Sequence, residues 1–384
     1  VSAPVHSSVS GTVTKIGTII DATGYSKPVI IIKTEGDEWE ESIDRSDALE
    51  TLDGHDGLTP EYIITRIRDA GITGMGGAGF PTYVKLTPPS TSKIDCVIIN
   101  AVECEPYITS DYRLMMEHAD EILVGVKLVL MAVSAPVAYI GIERNKPAAI
   151  RLFQEKTIDE RSIKVVPLEQ KYPQGGEKQL IDAVIRRQVP DPPAIPANVG
   201  TVVVNVGTAF AVYQAVMKNK PLFERYTSVS GKHISQPKNF LVRMGTPISQ
   251  LIDACGGLPD GDNKIIAGGP MMGKALMTTG VPVCKGTNSI TVLSGKEAVR
   301  DGAIGPCIRC AKCVGVCPMG LEPYILATSS AAHNWDMAEE HFITSCIECG
   351  SCQYTCPANR PMLDNIRFGK SKVMTIIRAR KQKS

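Results

Sequence analysis

The chain has 384 residues, a net charge of +1 and 43% apolar residues, which excludes both a disordered chain and a strongly nucleic-acid-seeking surface. This length predicts about two to four domains. Of its 12 cysteines, eight stand in regular spacing, which predicts a reducing compartment.

No signal peptide is read at the start, and Val1 leaves room for a preceding segment. Residues 1–56 read as short β-branched strands between turn formers, in "VSGTVTKIGTII" and "KPVIIIKTEG". The wording "APVHSSVSGTVTKI" is similar to a lipoyl-type barrel-sandwich, without an attachment lysine at a hairpin tip, so a packing role is expected. From Thr59 a helix is predicted, with Pro60 first and Ile63, Ile64, Ile67 and Ala70 on one face, ending at Gly71. In "GITGMGGAGFPTYVKL", Gly74, Gly76, Gly77 and Gly79 then remove side chains within six residues, so that backbone N–H groups can approach a phosphate. The formal G-x-G-x-x-G match is not the dinucleotide fingerprint, because a helix precedes the loop and a strand follows it. No Gly-Lys-Ser/Thr closes a Walker loop. A phosphate-binding loop of another topology is predicted, with a plain tight turn as the alternative.

The strand at 97–100 runs into "NAVECEPYITSDYRLM", which places Asn100, Glu103 and Glu105 beyond a strand's carboxyl end, where open α/β sheets bind ligands. A polar loop capping the next helix is the alternative. Helices at 117–132, 147–156, 176–187 and 208–218 alternate with strands at 137–142, 163–168 and 201–206, which predicts a largely parallel sheet. A second Gly loop, "YPQGGEKQ", opens the third of those helices. The longest apolar run, 122–137, contains Lys127 and Pro136 and is too short to span a bilayer. After Tyr226 the chain reads strand, turn, strand, helix and a Gly-Gly stop.

Two copies of C-x2-C-x2-C-x3-C-P follow, Cys307, Cys310, Cys313, Cys317 and Pro318, then Cys346, Cys349, Cys352, Cys356 and Pro357. Three thiolates in a tight turn grip three irons of a [4Fe-4S] cube, and the fourth, carried away by a rigid Pro, reaches the other cube. The predicted ligand sets are therefore Cys307, Cys310, Cys313 and Cys356 for one cluster and Cys346, Cys349, Cys352 and Cys317 for the other. A zinc reading has no place for the third Cys or the Cys-Pro. The 28 residues between Cys317 and Cys346 read as two short helices, favouring an α-helical ferredoxin over a β-rich one. His333 and His341 are expected at the surface, and Cys96, Cys104, Cys255 and Cys284 as small buried hydrophobes. From Lys370 onward six Lys or Arg and no acid form a tail expected in solvent or against a partner or anionic lipid.

Taken in order and spacing, "GMGGAGFPTYVK", "INAVECEP", "GGE" and "VNVGT" resemble the flavin-binding domain shared by the NADH-oxidising FMN subunit of respiratory complex I and the C subunit of the Rnf electron-transport complex. The longer "NAVECEPYITSDYRLM", "YPQGGEKQLI" and "NVGTAFAVYQAV" are closer to the Rnf subunit, and the likeness continues through the cysteine repeats. It implies a multidomain α/β chain: a barrel-sandwich-like β module at 1–56, a Rossmann-like FMN/NADH domain at 57–225, an SLBB-like β-grasp spacer at 226–294, and an α-helical ferredoxin domain with two [4Fe-4S] clusters and the basic tail at 295–384. It further implies that Gly74, Gly76, Gly77, Lys85, Asn100, Glu103, Gly176, Glu177, Asn205 and Thr208 hold FMN, that Phe80 stacks on the adenine of NADH, and that Glu105 lies beside its nicotinamide. Lys178 and Val102 stand where the complex I subunit has acids, and "PDPPAIPANVG" lacks its second adenine-clamping aromatic.

The implied activity is an NAD:ferredoxin oxidoreductase subunit. Hydride passes between NAD(H) and FMN, and single electrons pass through the clusters to or from ferredoxin by way of an iron–sulfur subunit, with Na+ or H+ moved by membrane subunits. The implied place is peripheral, on the cytoplasmic face of the membrane, and no side chain need act as acid or base. A cobalamin reductase of propanediol-using microcompartments, which shares the modules, and an electron-wire scaffold without working flavin are the alternatives.

Overall fold

The structure is a computed structural model that describes residues 2–22, 24–298 and 302–383. Val1 and Thr23 of the expected first domain, and residues 299–301 and Ser384 of the expected last one, lie outside the described residues. The chain divides into two compact units, residues 1–189 with 195–294, and residues 190–194 with 295–384.

The first unit begins with an antiparallel hairpin of β1 (Gly11–Ile20) and β2 (Ser26–Thr34). Its β-branched residues suit strands, but among the described residues no third strand pairs with it, and Ile16 and Ile30 stay 75% and 64% exposed. Two strands by themselves enclose no interior; among the described residues the strands of this segment are this one hairpin. Helix α1 (Pro60–Asp69) starts where the sequence places it: Thr59 accepts from the Tyr62 N–H, Pro60 takes the first position, and Ile63 and Ile67 are buried. A single turn, α2 (Thr82–Lys85), follows the Gly loop.

Next come β3 (Cys96–Ala101), α3 (Ser110–Glu117), α4 (Ala119–Val133), β4 (Ala138–Glu143), α5 (Pro147–Lys156), β5 (Ile163–Leu168), α6 (Glu177–Ile185), β6 (Thr201–Asn205) and α7 (Val206–Met217). The four strands form a parallel sheet in the order β5-β4-β3-β6. Strands covered on both faces read as unbroken apolar runs. Val97, Ile99, Ile140 and Val204 share one core with α1, α4, α5 and α7, while Ile98 and Val203 meet Leu180 and Ile181 of α6 on the other face. Helix α3 is not among the expected elements, because its polar residues suggest a loop; Leu114 and Met115 on its inner side are buried and hold it to the sheet.

Helices α4 and α7 approach most closely at Gly125, where a Cβ would fall on the Ala209 backbone. Alanine has the better helix propensity by about 1 kcal/mol, yet overpacking against rigid backbone costs roughly 1–3 kcal/mol. Because that Cβ would stand 2.0 Å from the Ala209 carbonyl oxygen, the upper part of that range, about 2–3 kcal/mol, applies, and Gly125→Ala is expected to lower stability by about 1–2 kcal/mol net, measured from urea unfolding midpoints. An unchanged or raised midpoint would show that the helices separate freely.

The first unit continues through β7 (Glu224–Ser230), β8 (Lys238–Arg243), α8 (Ile248–Asp253), β9 (Asn263–Ala267), β10 (Lys274–Ala275) and β11 (Ser289–Ser294). They form a five-stranded sheet, β10-β9-β11-β7-β8, in which only β11 and β7 run parallel. Helix α8 packs Ile248, Leu251 and Ile252 against Val229, Val242 and Ile290.

The second unit is helical: α9 (Lys312–Gly315), α10 (Pro323–Ala331), α11 (Trp335–Glu340), α12 (Ser351–Tyr354) and α13 (Met362–Lys383), with no strand among the described residues. The two helices expected between the cysteine runs are α10 and α11. Its core joins Leu326, Ala338, Met362 and Ile366. No helix among the described residues is long and apolar enough to cross a membrane.

Candidate functional site

In the first unit the expected residues gather at the carboxyl edge of the parallel sheet. The Gly loop is a closed excursion: Gly74 N–H donates to Phe80 C=O at 2.8 Å, and Thr82 N–H to Ile72 C=O at 3.0 Å. Gly77 and Gly79 have φ of +108° and +65°, a region that favours glycine. Met75 N–H donates to Thr208 Oγ1 at 2.9 Å. Residues 75–78 form a turn, and no well-formed hydrogen bond joins the N–H groups of Gly76, Gly77, Ala78 or Gly79 to a protein acceptor among the described residues, so the loop presents a row of available backbone donors. Such a row is an anion-binding concavity.

Around it, Lys85 Nζ lies 2.6 Å from Glu177 Oε1, which joins α2 to the first turn of α6. Gly176 is the N-cap of α6. Asn100 donates to Gly175 C=O at 2.9 Å and accepts from Val102 N–H at 3.1 Å. Asn205, the N-cap of α7, accepts from Gly207 N–H at 2.9 Å and donates to Asp111 Oδ2 at 2.8 Å. Glu103 Oε1 accepts from Asp111 N–H at 2.8 Å, while its buried Oε2 has no hydrogen-bond donor among the described residues, Lys146 Nζ standing 3.9 Å away. Burial, with Asp111 as a like-charged neighbour, raises the Glu103 carboxyl to about 8. Val102 is buried in the core behind this edge. A donor row, a lysine, two carboxamides and an orphaned buried carboxyl oxygen suit a phosphate-bearing, hydrogen-bonding aromatic cofactor such as FMN.

The two residues expected at NADH part company. Phe80 is half exposed at the neck of the loop, where its C=O accepts from the Gly74 N–H. Glu105 is turned toward the second sheet, where Oε2 accepts from Met271 N–H at 3.1 Å and Oε1 from Met272 N–H at 2.7 Å. A Cβ at Gly269 would fall on the Glu105 carboxylate. Asp111, Lys146 and Arg225 are absent from the set expected on sequence. Asp111 lies within "SDYRLM" with no spacing that assigns it a role, and nothing local marks Arg225, whose contacts lie about 60 and 150 residues away. Of the remaining cysteines, Cys96 and Cys255 are buried as expected and Cys104 is half-buried, but Cys284 is exposed, because it sits in a loop rather than a core strand.

In the second unit Cys317 lines one cavity with Cys346, Cys349 and Cys352, closed by apolar groups such as Leu326 and Ile366. Leu321 N–H donates to Cys317 Sγ and Glu348 N–H to Cys346 Sγ, each at 3.4 Å. Burial pushes the Cys346 thiol up to about 11 and Cys352 to about 12, so each keeps its proton until a metal displaces it. Cys307 and Cys310 are exposed. The segment before Cys307 is tied beside Cys356 by Gly305 N–H donating to Ala358 C=O at 2.9 Å.

The two runs share one backbone shape. Arg309 and Glu348, Ala311 and Gly350, and Gly320 and Asn359 hold equivalent places and all have positive φ, between +53° and +79°. No three metal-binding side chains among the described residues converge as a single ion requires. The sulfurs of a cube each hold a different iron and stand wider apart than those of a tetrahedral zinc site, and four sulfurs around one cavity with N–H donors upon them suit such a cluster. His333 stacks on Trp335, ring centroids 5.2 Å apart, and His341 lies 3.3 Å from Glu322.

Fold and site thus define a flavin- and iron–sulfur-dependent electron-transfer protein. Residues 67–214 match the Nuo51 FMN-binding domain family, 226–275 the SLBB domain and 299–357 the 4Fe-4S dicluster domain. The chain is 41% identical to the C subunit of the Na(+)-translocating ferredoxin:NAD(+) oxidoreductase complex of Acetobacterium woodii, over 97% of this chain and 83% of that one. It is 43% identical to the proton-translocating counterpart of Clostridium ljungdahlii, over 97% and 80%, and 38% identical to the C subunit of the ion-translocating oxidoreductase complex of Rhodobacter capsulatus, over 97% and 71%. It belongs to the C-subunit family of these ion-translocating oxidoreductase complexes. Solved structures of an NAD+-reducing [NiFe]-hydrogenase share the fold, with a TM-score of 0.52 at 25% identity over 62% of this chain and 47% of that one in the air-oxidized state.

Proposed function

We propose that this chain is the nucleotide-side subunit of an ion-translocating ferredoxin:NAD oxidoreductase complex, peripheral on the cytoplasmic face of the membrane. Bound FMN supplies the exchange between two-electron hydride chemistry and single electrons, and two [4Fe-4S] clusters supply the one-electron path onward. Gly76 and Gly77 present backbone donors to the flavin phosphate, Gly74 closes the loop that carries them through its bond to the Phe80 carbonyl, and Lys85 and Glu177 close that end. Asn100, Glu103, Asn205 and Thr208 orient the ring edge, and Gly176 lets backbone approach closely. Phe80 receives the adenine of NAD(H), and Glu105 borders the nicotinamide side through its hold on the 271–272 backbone. Cys307, Cys310, Cys313 and Cys356 bind one cluster, and Cys346, Cys349, Cys352 and Cys317 the other. Partner subunits carry electrons to or from ferredoxin and move Na+ or H+. The domain limits of this reading are 1–56, 57–225, 226–294 and 295–384. They correspond to a barrel-sandwich-like module to which the hairpin contributes two strands, a Rossmann-like flavin domain, a β-grasp module and an α-helical ferredoxin domain.

The observation that supports this reading most is the row of available N–H groups at 76–79 beside Asn100, Asn205 and Thr208 on one sheet edge. Protein purified without air is expected to show flavin bands near one per chain over broad cluster absorption, and to lose the flavin bands rapidly on addition of NADH. Clusters without flavin, even after reconstitution with FMN, would sink the proposal. Bleaching by NADPH but not NADH would overturn the nucleotide assignment.

A further inference from the structure

Two charged side chains outside the expected set hold the flavin-site residues in place, and one of them comes from the second sheet. Arg225, on β7, is 4% exposed. Its Nη2 donates to Met75 C=O at 3.1 Å, its Nη1 to Lys285 C=O, and its Nε to Tyr226 C=O at 3.1 Å. These acceptors are neutral, and the carboxylate facing the guanidinium through space is Asp111, which lines the same cavity as Arg225, Met75 and Gly207. Burial pushes the Asp111 carboxyl up, and the Asn205 hydrogen bond, Arg225 and Lys146 oppose that. Of the two neighbouring acids, Glu103 keeps the proton while Asp111, held by Asn205 and Arg225, keeps the charge. Asp111 in turn accepts from the Asn205 carboxamide at 2.8 Å and, through its N–H, holds Glu103 at 2.8 Å.

Met75 is therefore pinned on both sides, its N–H to Thr208 and its C=O to Arg225. The available donors that follow it, at 76–79, inherit a fixed direction. The loop containing Lys285 presses on the same place, since a Cβ at Gly286 would stand 3.0 Å from Gly77 C=O.

We propose that Arg225 and Asp111 are positioning residues of the flavin site: Arg225 sets the Gly loop through the Met75 carbonyl, and Asp111 sets the Asn205 carboxamide and balances Arg225. The second sheet is then part of the site rather than a spacer. This inference rests on the flavin reading above. Both charges are held in a low-dielectric setting, where their fields on a bound group are weakly screened.

The test uses the full chain, deflavinated and titrated with FMN, followed by an anaerobic titration of the flavin absorbance. Arg225→Met removes the clamp and a positive charge. It is expected to weaken FMN binding about tenfold or more and to lower the flavin midpoint potential. Asp111→Asn keeps the size and an acceptor for Asn205 but removes a negative charge, and is expected to raise the midpoint. A mere structural brace would not give shifts of opposite sign. Arg225→Lys, which keeps the charge but offers fewer donors, is expected to recover the midpoint more than the affinity. Should Arg225→Met not fold, Asp111→Asn and Arg225→Lys decide. Unchanged midpoints and affinities in these two, with wild type binding FMN, overturn the inference and leave the flavin reading intact. A wild type that binds no FMN overturns both.

Discussion

Replacing Cys317 by Ala is expected to remove the cluster of Cys346, Cys349 and Cys352 and to spare the one built on Cys307, Cys310 and Cys313. In sequence, Cys317 belongs to the first run, yet its side chain lines the cavity of the second triad. The Pro318 that follows cannot continue a helix, and it sends Cys317 out of the turn formed by α9. Iron content should fall by about half, since each cube holds the same number of irons. Cluster-resolved EPR of the reduced protein should lose one signal. Cys356→Ala should take the other signal. If Cys317→Ala instead abolishes the signal assigned by Cys310→Ala, ligation is not crossed.

Glu103→Gln is expected to remove a steep loss of stability with rising pH. A carboxyl whose folded-state pKa lies above its unfolded value keeps a proton in the native state that the unfolded chain has released. Between the ordinary value of 4.5 and about 8 the native state thus holds a proton that the unfolded chain has released, so stability falls as the pH rises through that range. The loss is complete above about 8. The amide of Glu103→Gln keeps an acceptor for the Asp111 N–H and never ionises. Urea midpoints of wild type should drop more steeply from pH 5 to pH 8 than those of the variant. Parallel profiles would mean that Glu103 is ionised in the folded protein throughout.

The parts of the fold that are legible in the sequence are those whose cause is local. The apolar runs at 97–100 and 201–206 are read directly because a parallel strand is buried on both faces, and α1 is read because Thr59, Pro60 and Gly71 mark its ends. Helix α3 is hidden because its polar face supplies Asp111 to the site while only Leu114 and Met115 anchor it. At residues 1–56 the strand propensity is legible but the number of strands is not, since propensity says nothing of what a hairpin pairs with.

The site divides the same way. Glycines and cysteines announce themselves by spacing. The partners of Glu105, at Met271 and Met272, and of Met75, at Arg225, are set by how the second sheet packs on the first. No window of sequence contains them.

The shared backbone of the two cysteine runs has a consequence for the direction of electron flow. Positive φ recurs at the same three places in each copy, with Arg309 answered by Glu348 and Gly320 by Asn359. On the crossed ligation proposed above, duplicated halves that exchange their fourth ligand are interchangeable by construction, and their geometry then has no upstream or downstream end. Polarity must come from what breaks the likeness. Cys349 and Cys352 are buried, whereas Cys307 and Cys310 face solvent, and Glu348 of the second run draws Arg367 and Lys370 to within 3.3 and 3.1 Å. Burial and nearby charge tune cluster potentials. On that proposal the relay conducts in either direction, biased by its surroundings.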